Sequence, residues 1–291
     1  MSMPAGTLYV VATPIGQVDD LSPRARAVLG GVSRIAAEDT RHSGRLLQQV
    51  GLDVPLIAVH DHNEGERVPG LIARLLAGES LALISDAGTP LISDPGYRLI
   101  SAAHDAGVRV SPVPGPCAAI AALSAAGLAS DRFHFEGFLP SRQGPRKSRL
   151  QALAESPHTL IFYEAPHRIV ETLADMREVL GGDRVATLAR ELTKTFETVR
   201  RAALGELADW VVSDSDQQRG EIVLVVSGAP AREVGDDVQG LSAERVLSVL
   251  VRELPVKQAA ALAAELLGLK KNALYDLAQR LKESARGADS S

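Results

Sequence analysis

Residues 81–113 read LALISDAGTPLISDPGYRLISAAHDAGVRVSPV. A short apolar run, Leu81–Ser85, breaks into a twelve-residue segment of small and turn-forming residues, Ser85–Gly96. Helical spacing resumes over Tyr97–Ala106 until Gly107 stops it, and a second apolar run covers Arg109–Val113. Strand, loop, helix and strand in that order is the repeating unit of an α/β fold. The loop is the informative part: it is longer than a plain connection requires. It also leaves the carboxyl end of a strand, where open α/β sheets bind ligands. Asp86 and Asp94 would otherwise serve only to close local turns.

Upstream the same rhythm predicts strands over Leu8–Thr13, Arg34–Ala37 and Leu56–His60. Helices are predicted from Ser22-Pro23 to Gly30-Gly31, over Gly44–Val50 and over Gly65–Ala77. Downstream, strands are expected at Phe133–Gly137, Thr159–Tyr163, Val185–Arg190, Thr195–Ala202 and Glu221–Ser227, with short gaps that imply a mixed or antiparallel sheet. Helices are expected at Arg146–Ala154, Ile169–Leu180 and Leu204–Val212. The fold expected is therefore α/β with two α/β domains, residues 1–115 and 116–228. A linker by composition follows at 229–241, and then a small helical module at 242–291. In that module Pro255–Leu267, a glycine turn at Gly268 and Asn272–Leu281 resemble a helix-turn-helix, which is more often a plain packing unit than a nucleic-acid reader.

The 291 residues suffice for about two domains. Apolar residues at 45% and charged residues at 23% exclude global disorder, and aromatics at 3% leave few rings for stacking successive bases. A lone cysteine, Cys117, allows no internal disulfide and no thiolate zinc cluster, so a reducing, cytoplasmic setting and no metal are expected. Neither a signal peptide nor an uninterrupted membrane span is evident, because Pro112, Pro114 and Pro116 break the longest uncharged stretch.

Charge is uneven. Residues 140–149, PSRQGPRKSR, carry +4 in a chain whose total is −5. Arg142, Arg146, Lys147 and Arg149 are read as a basic loop able to meet phosphates, the alternative being a solvated surface segment. Neither G-x-G-x-x-G nor G-x-x-x-x-G-K-[ST] occurs, which disfavours a dinucleotide site or a P-loop. Candidate ligand contacts lie instead at strand ends: Pro14 and Ile15; Ser85, Asp86, Gly88 and Thr89; Cys117 and Ala118. Cys117 opens a helix and reads either as an activated thiol or as a small buried hydrophobe. Charged groups at the remaining strand ends include Asp39, Arg41, His62, Arg168, Glu191 and Lys194.

The blocks LYVVATPIG, AAEDTRHS, HDHNE, SDAGTPLISDPG, PGPCAAIAALSAAGL, FEGFLP, FYEAPHR, ARELTKTFET and GEIVLVVSG, with the tail ELPVKQAAALAAELLGLKKNALY, cover essentially the whole chain. Together they resemble the RsmI family of ribosomal RNA small-subunit methyltransferases, in the tetrapyrrole-methylase-like class of S-adenosylmethionine enzymes. Gln17-Val18 stands where that family usually carries Asn-Leu after Pro-Ile-Gly. The resemblance implies 2′-O-methylation of a cytidine ribose in the decoding centre of 16S ribosomal RNA. It also implies a homodimer that acts on RNA or a ribosomal subunit away from membranes, with S-adenosyl-L-methionine in a cleft between the two α/β domains. The class layout adds Phe162, Ala189 and Ile222 to the cofactor contacts.

On this reading Lys194, desolvated and neutral, takes the hydroxyl proton, with Glu191 or Asp39 orienting it and Arg41, His62 and Arg168 on the RNA side. The alternative is proton loss to solvent, with Lys194 a phosphate contact. Two other functions stay open at this point: a small-molecule (tetrapyrrole) methyltransferase, which needs neither basic loop nor tail, and a non-catalytic RNA-binding protein, which needs no SDAGTP or PGPCAA.

Overall fold

A computed structural model describes residues 4–230 and 243–288, with side chains through Lys282. The chain divides into two compact units, residues 1–228 and 229–291. The expected linker at 229–241 lies mostly outside the described residues.

The first unit holds two five-stranded sheets. The first is wholly parallel, in the order β3 (Leu56–Ala58), β2 (Arg34–Ala37), β4 (Leu81–Ile84), β1 (Thr7–Val11), β5 (Arg109–Val113). Helices α1 (Pro23–Gly31) and α2 (Thr40–Gln49) cover one face, where Tyr9, Val11, Ile35, Ala37, Ala82 and Ile84 pack on Val28, Leu29 and Leu47. Helices α3 (Glu64–Leu76) and α4 (Tyr97–Asp105) cover the other, where Leu8, Ala36, Leu81 and Leu83 meet Leu71, Leu75 and Leu99. Burial on both faces explains why the inner strands β1, β2 and β4 read as largely apolar runs rather than alternating ones. Helix α1 begins as its sequence predicts: the Ser22 side chain accepts the Ala25 N–H at 3.0 Å and Pro23 stands at the first helical position.

Topology decides where the site lies. Strands β1 and β4 are neighbours, yet the chain leaves β1 toward α1 on one face and leaves β4 toward α4 on the other. Their connections part at the carboxyl edge and leave a crevice between them.

The second sheet is mixed. It runs β6 (Phe133–Phe138), β7 (Thr159–Glu164), β10 (Ile222–Val226), β8 (Val185–Arg190), β9 (Thr198–Ala203); β6 and β7 are parallel and the remaining pairs antiparallel. Helix α5 (Ala118–Ala126) packs its alanines on Ile161, Ala189, Val223 and Val225. Helices α6 (Gln143–Leu153), α7 (Ile169–Leu180) and α8 (Leu204–Ser213) bury Phe162, Leu188 and Leu224 on the opposite face.

The basic loop expected at 140–149 is corrected. Residues from Gln143 onward form α6, and its cations are engaged within the protein. Arg146 is 1% exposed at its side chain, bonds Asp175 at 2.6 Å and pairs with Glu171 at 3.3 Å, both on α7. Lys147 bonds Glu178 at 2.6 Å, and Arg149 grips Glu136 of β6 at 2.5 Å. The acids that neutralise these cations lie 13 to 31 residues away in sequence. Arg146 therefore cannot reach an RNA phosphate, and the charges of Lys147 and Arg149 are already largely neutralised by carboxylates. Arg142, at the exposed N-cap of α6, has no such partner among the described residues.

Among its described residues the second unit contains three helices, α9 (Ala243–Glu253), α10 (Val256–Leu267) and α11 (Lys271–Ala288). Leu247, Val251, Ala260, Ala263, Leu274 and Ala278 form its core. Gly268 closes α10 in the left-handed conformation, the turn expected from sequence.

Replacing Arg146 with Ala removes the buried guanidinium that Asp175 bonds at 2.6 Å, leaving it the Gln143 amide at 3.0 Å and Lys147 at 3.7 Å, and is expected to cost about 3 kcal/mol. Arg142→Ala is expected to stay within about 0.5 kcal/mol, as for an unengaged surface residue. Urea unfolding of the two variants checks both values.

Candidate functional site: an acidic cavity at the sheet edge

The loops after β1 and β4 are tied by an isolated antiparallel bridge. Thr13 N–H donates to Gly88 O at 2.8 Å, and Gly88 N–H returns to Thr13 O at 3.1 Å. Gly88 has φ +82°, a conformation that favours glycine, and a Cβ there would stand 3.3 Å from the Ile15 side chain, tighter than ordinary contact. Thr89 Oγ1 donates to Pro116 O at 2.8 Å and fastens the loop after β5 to the same corner. Further along the β4 loop, Leu91 and Ser93 adopt φ of 74° and 71°, strained conformations of the kind that gather at functional loops.

Against this corner lies a cavity of about 450 Å³. Ile15, Glu38, Asp86–Thr89 and Ile92–Asp94 line it from the first sheet's side. Ala118, Phe138, Tyr163–Pro166 and Gly220–Val223 line it from the second. The Tyr163 hydroxyl accepts the Ala119 N–H at 3.1 Å at the start of α5, and its ring stands edge-on to Phe135 and Phe138. Burial raises the Tyr163 phenol above its ordinary range, so it stays neutral.

Of the cofactor contacts expected from sequence, Ile15, Asp86, Gly88, Thr89, Ala118 and Ile222 line the cavity. Pro14, Ser85, Cys117, Phe162 and Ala189 do not. Phe162 is corrected: its side chain is wholly buried in the core beneath α6–α8, and its neighbour Tyr163 faces the cavity. Strand alternation carried that signal, since Ile161 and Tyr163 share the α5 face. Ala189 is covered by α5. Cys117 is a half-buried free thiol packed against the α5 core.

Glu38, not its neighbour Asp39, reaches the cavity. Asp39 caps α2: its Oδ1 accepts the N–H groups of Arg41 at 2.8 Å and His42 at 3.4 Å, and its Oδ2 pairs with Arg41 at 3.3 Å. The backbone hydrogen bond to Arg41, then its side chain, holds the Asp39 carboxyl below its usual range. Asp before a helix is an N-cap signal, and it could have separated the two acids at the outset. Glu38 is pushed up to about 7 by burial first, then by the charges of Asp86, Asp94, Asp61 and Asp39. Asp94 is pushed up to about 6 by burial, with Ser85 opposing.

The HDHNE segment is largely structural. Asn63 Oδ1 accepts the His60 N–H at 2.9 Å, and buried Glu64 accepts the Leu99 N–H of α4 at 3.0 Å. His62 is exposed.

The proposed Lys194 base is also corrected. Its Nζ bonds Glu191 at 2.9 Å and Glu221 at 3.0 Å. Burial pulls its pKa down, but these two carboxylates outweigh it and the net shift is upward, so Lys194 is a cation. Glu191 does contact Lys194, in a turn where Glu191 and Thr193 have φ of 51° and 64°. Gly220, at φ +79°, leaves room for the Glu191 carboxylate, which a Cβ would overlap. Thr193 Oγ1 accepts the Gln17 N–H at 3.1 Å, linking this turn to the one after β1. Arg168 donates to Leu139 O at 2.8 Å and pairs with Glu164 at 3.0 Å, so it is engaged rather than free to grip a phosphate. Arg41 is 88% exposed at its side chain.

A family model described as Tetrapyrrole (Corrin/Porphyrin) Methylases matches residues 7–208, and one described as RsmI C-terminal HTH domain matches residues 237–282. The chain belongs to the RsmI family of methyltransferases. It is 63% identical over 276 residues to Ribosomal RNA small subunit methyltransferase I of Pseudomonas aeruginosa, covering 95% of this chain and 98% of the relative. It is 54% identical over 273 residues to the protein of the same name from Escherichia coli O157:H7, covering 94% of each. Among solved structures, uroporphyrin-III-C-methyltransferase from Thermus thermophilus shares the fold, with a TM-score of 0.53 at 22% identity over 76% of this chain and 94% of that one.

The raised Glu38 carboxyl has a signed consequence. Its pKa is higher folded than unfolded, so ionising it as pH rises costs stability. Glu38→Gln removes that cost. The variant is expected to melt above the parent at about pH 8, with the advantage gone by about pH 4, where both states are protonated. Thermal denaturation across this range measures the difference.

Proposed function

We propose that the protein transfers a methyl group from S-adenosyl-L-methionine to the ribose 2′-oxygen of a cytidine in the decoding centre of 16S ribosomal RNA. The observation that carries this reading is near full-length identity above 50% to relatives named Ribosomal RNA small subunit methyltransferase I. The cavity fits the cofactor: it has the size of a small-ligand pocket, it is lined by carboxyls and apolar side chains, and Gly88 leaves space that a Cβ would narrow.

Ile15, Asp86, Gly88, Thr89, Ala118 and Ile222 would hold the cofactor, with Glu38, Asp94 and Tyr163 completing the walls. Bound there, S-adenosylmethionine supplies a methyl group on a positively charged sulfur. The protein's contribution is to align the attacking oxygen and exclude water. Lys194, already a cation, acts as a fixed charge in the Glu191–Lys194 turn rather than as a proton acceptor. On the RNA side the reading keeps Arg41, His62 and Arg142, which are exposed, and adds the helical module through its α10–α11 pair. Residues 1–115 and 116–228 are taken as the two domains flanking the cofactor, in a cytoplasmic homodimer acting on RNA or the assembled subunit.

Mass mapping of 16S ribosomal RNA from cells lacking the protein is expected to show one ribose methyl missing from a decoding-centre cytidine, restored by the cloned gene. An unchanged methylation map overturns the reading.

A further inference from the structure

Five carboxylic acids line the cavity: Glu38, Asp86, Asp94, Glu164 and Glu221. No Lys, Arg or His is among the lining residues described. Three of the five are committed inside the protein. Asp86 Oδ1 accepts the Asp39 N–H at 3.0 Å, Glu164 bonds Thr172 at 2.6 Å and pairs with Arg168, and Glu221 holds Lys194. Glu38 has no hydrogen bond or ion pair among the described residues, and Asp94, whose carboxyl has the Ser85 side chain beside it, keeps Oδ2 as a fully buried oxygen without a hydrogen-bond partner. An orphaned buried carboxyl oxygen is costly and points to a group that arrives from outside. Among the described residues no three His, Cys, Asp or Glu side chains form a set that could hold a metal ion.

We infer that Glu38 and Asp94 read the positive charge of the methyl donor, so that the cavity holds the cationic donor more tightly than its neutral demethylated product. The inference rests on the function proposed above. At neutral pH the donor carries a net positive charge at its sulfonium, and the product has lost it. The groups facing Glu38 are acids from each neighbouring segment: Asp86 and Asp94 from the loop after β4, Asp61 from the segment after β3, and Asp39 beside it. Burial and these charges keep Glu38 partly protonated near neutrality, so an arriving cation favours its ionised form and displaces the proton. By linkage, the preference for donor over product strengthens as pH rises through the titration of Glu38.

Titration calorimetry on the full-length protein, with S-adenosylmethionine and with S-adenosylhomocysteine, tests this at about pH 5.5 and about pH 8.5, either side of the titration. The affinity ratio of donor to product is expected to rise by about tenfold or more between the two. Donor binding near pH 7 should also show a heat that varies with the ionisation enthalpy of the buffer. Glu38→Gln should bind the product as the parent does and lose the pH dependence of the ratio; Asp94→Asn should weaken it. If both ligands bind the parent with a ratio that does not change with pH, the inference is overturned and the cofactor assignment survives. If neither ligand binds, both fall. Should Glu38→Gln fail to fold, the parent series and Asp94→Asn decide.

Discussion

Two hydrogen bonds between Thr13 and Gly88 fix the corner on which the site depends. Adjacent parallel strands whose connections leave in opposite directions create a gap at their carboxyl ends, and without a tie the two loops would be free to collapse into it or splay apart. The bridge holds them at backbone hydrogen-bonding distance. Glycine suits the position, because Gly88 tolerates positive φ and carries no side chain to press on Ile15. Once that corner is set, the strained passage through Leu91 and Ser93 delivers Asp94 to the cavity wall. The Thr89–Pro116 bond joins the start of α5 to the same frame.

Charge is distributed in two opposite ways across the first unit. On α6 the cations face acids of α7 and β6, and each positive charge that sequence offered to a partner molecule is largely neutralised at home. At the cavity the reverse holds: acids converge without a cation among the lining residues, and two respond by shifting toward protonation. A fold tuned only for stability would pair or remove those acids, because like charges gathered in a partly buried space oppose folding. Their presence beside a pre-formed cavity marks a place where stability yields to binding.

Strands were legible because those covered on both faces, such as Arg34–Ala37, must be apolar, and because turn residues punctuate the others; Arg34–Ala37, Arg109–Val113 and Val185–Arg190 fall where the pattern puts them. The crevice was legible from the length and composition of Ser85–Gly96. What escaped was contact at a distance. Nothing near Arg146 announces Asp175, so a run of cations read locally as a loop open to solvent. Glu38 and Asp39 are adjacent acids with opposite fates, one turned to the cavity and the other to the N–H groups of α2, and only the capping rule distinguishes them in advance. Lys194 illustrates the same limit: a neutral lysine needs a site without carboxylates, and Glu221, brought close by the β8–β10 pairing, removes that condition.

With Lys194 held as a cation, the chemistry asked of the cavity changes character. Carboxyls that attract a sulfonium stabilise it most before reaction, because part of the positive charge is already dispersed in the transition state. Attraction spent on the bound donor therefore opposes the chemical step. On the function proposed above, acids raised toward neutral pH, as Glu38 and Asp94 are, would temper that penalty: they would supply attraction when the cation arrives and relax toward the neutral form once the charge is gone. Rate enhancement must then come from alignment and exclusion of water rather than from charge at the sulfur. A cavity lined from both sheets and fixed at one corner by backbone hydrogen bonds is suited to the first of these.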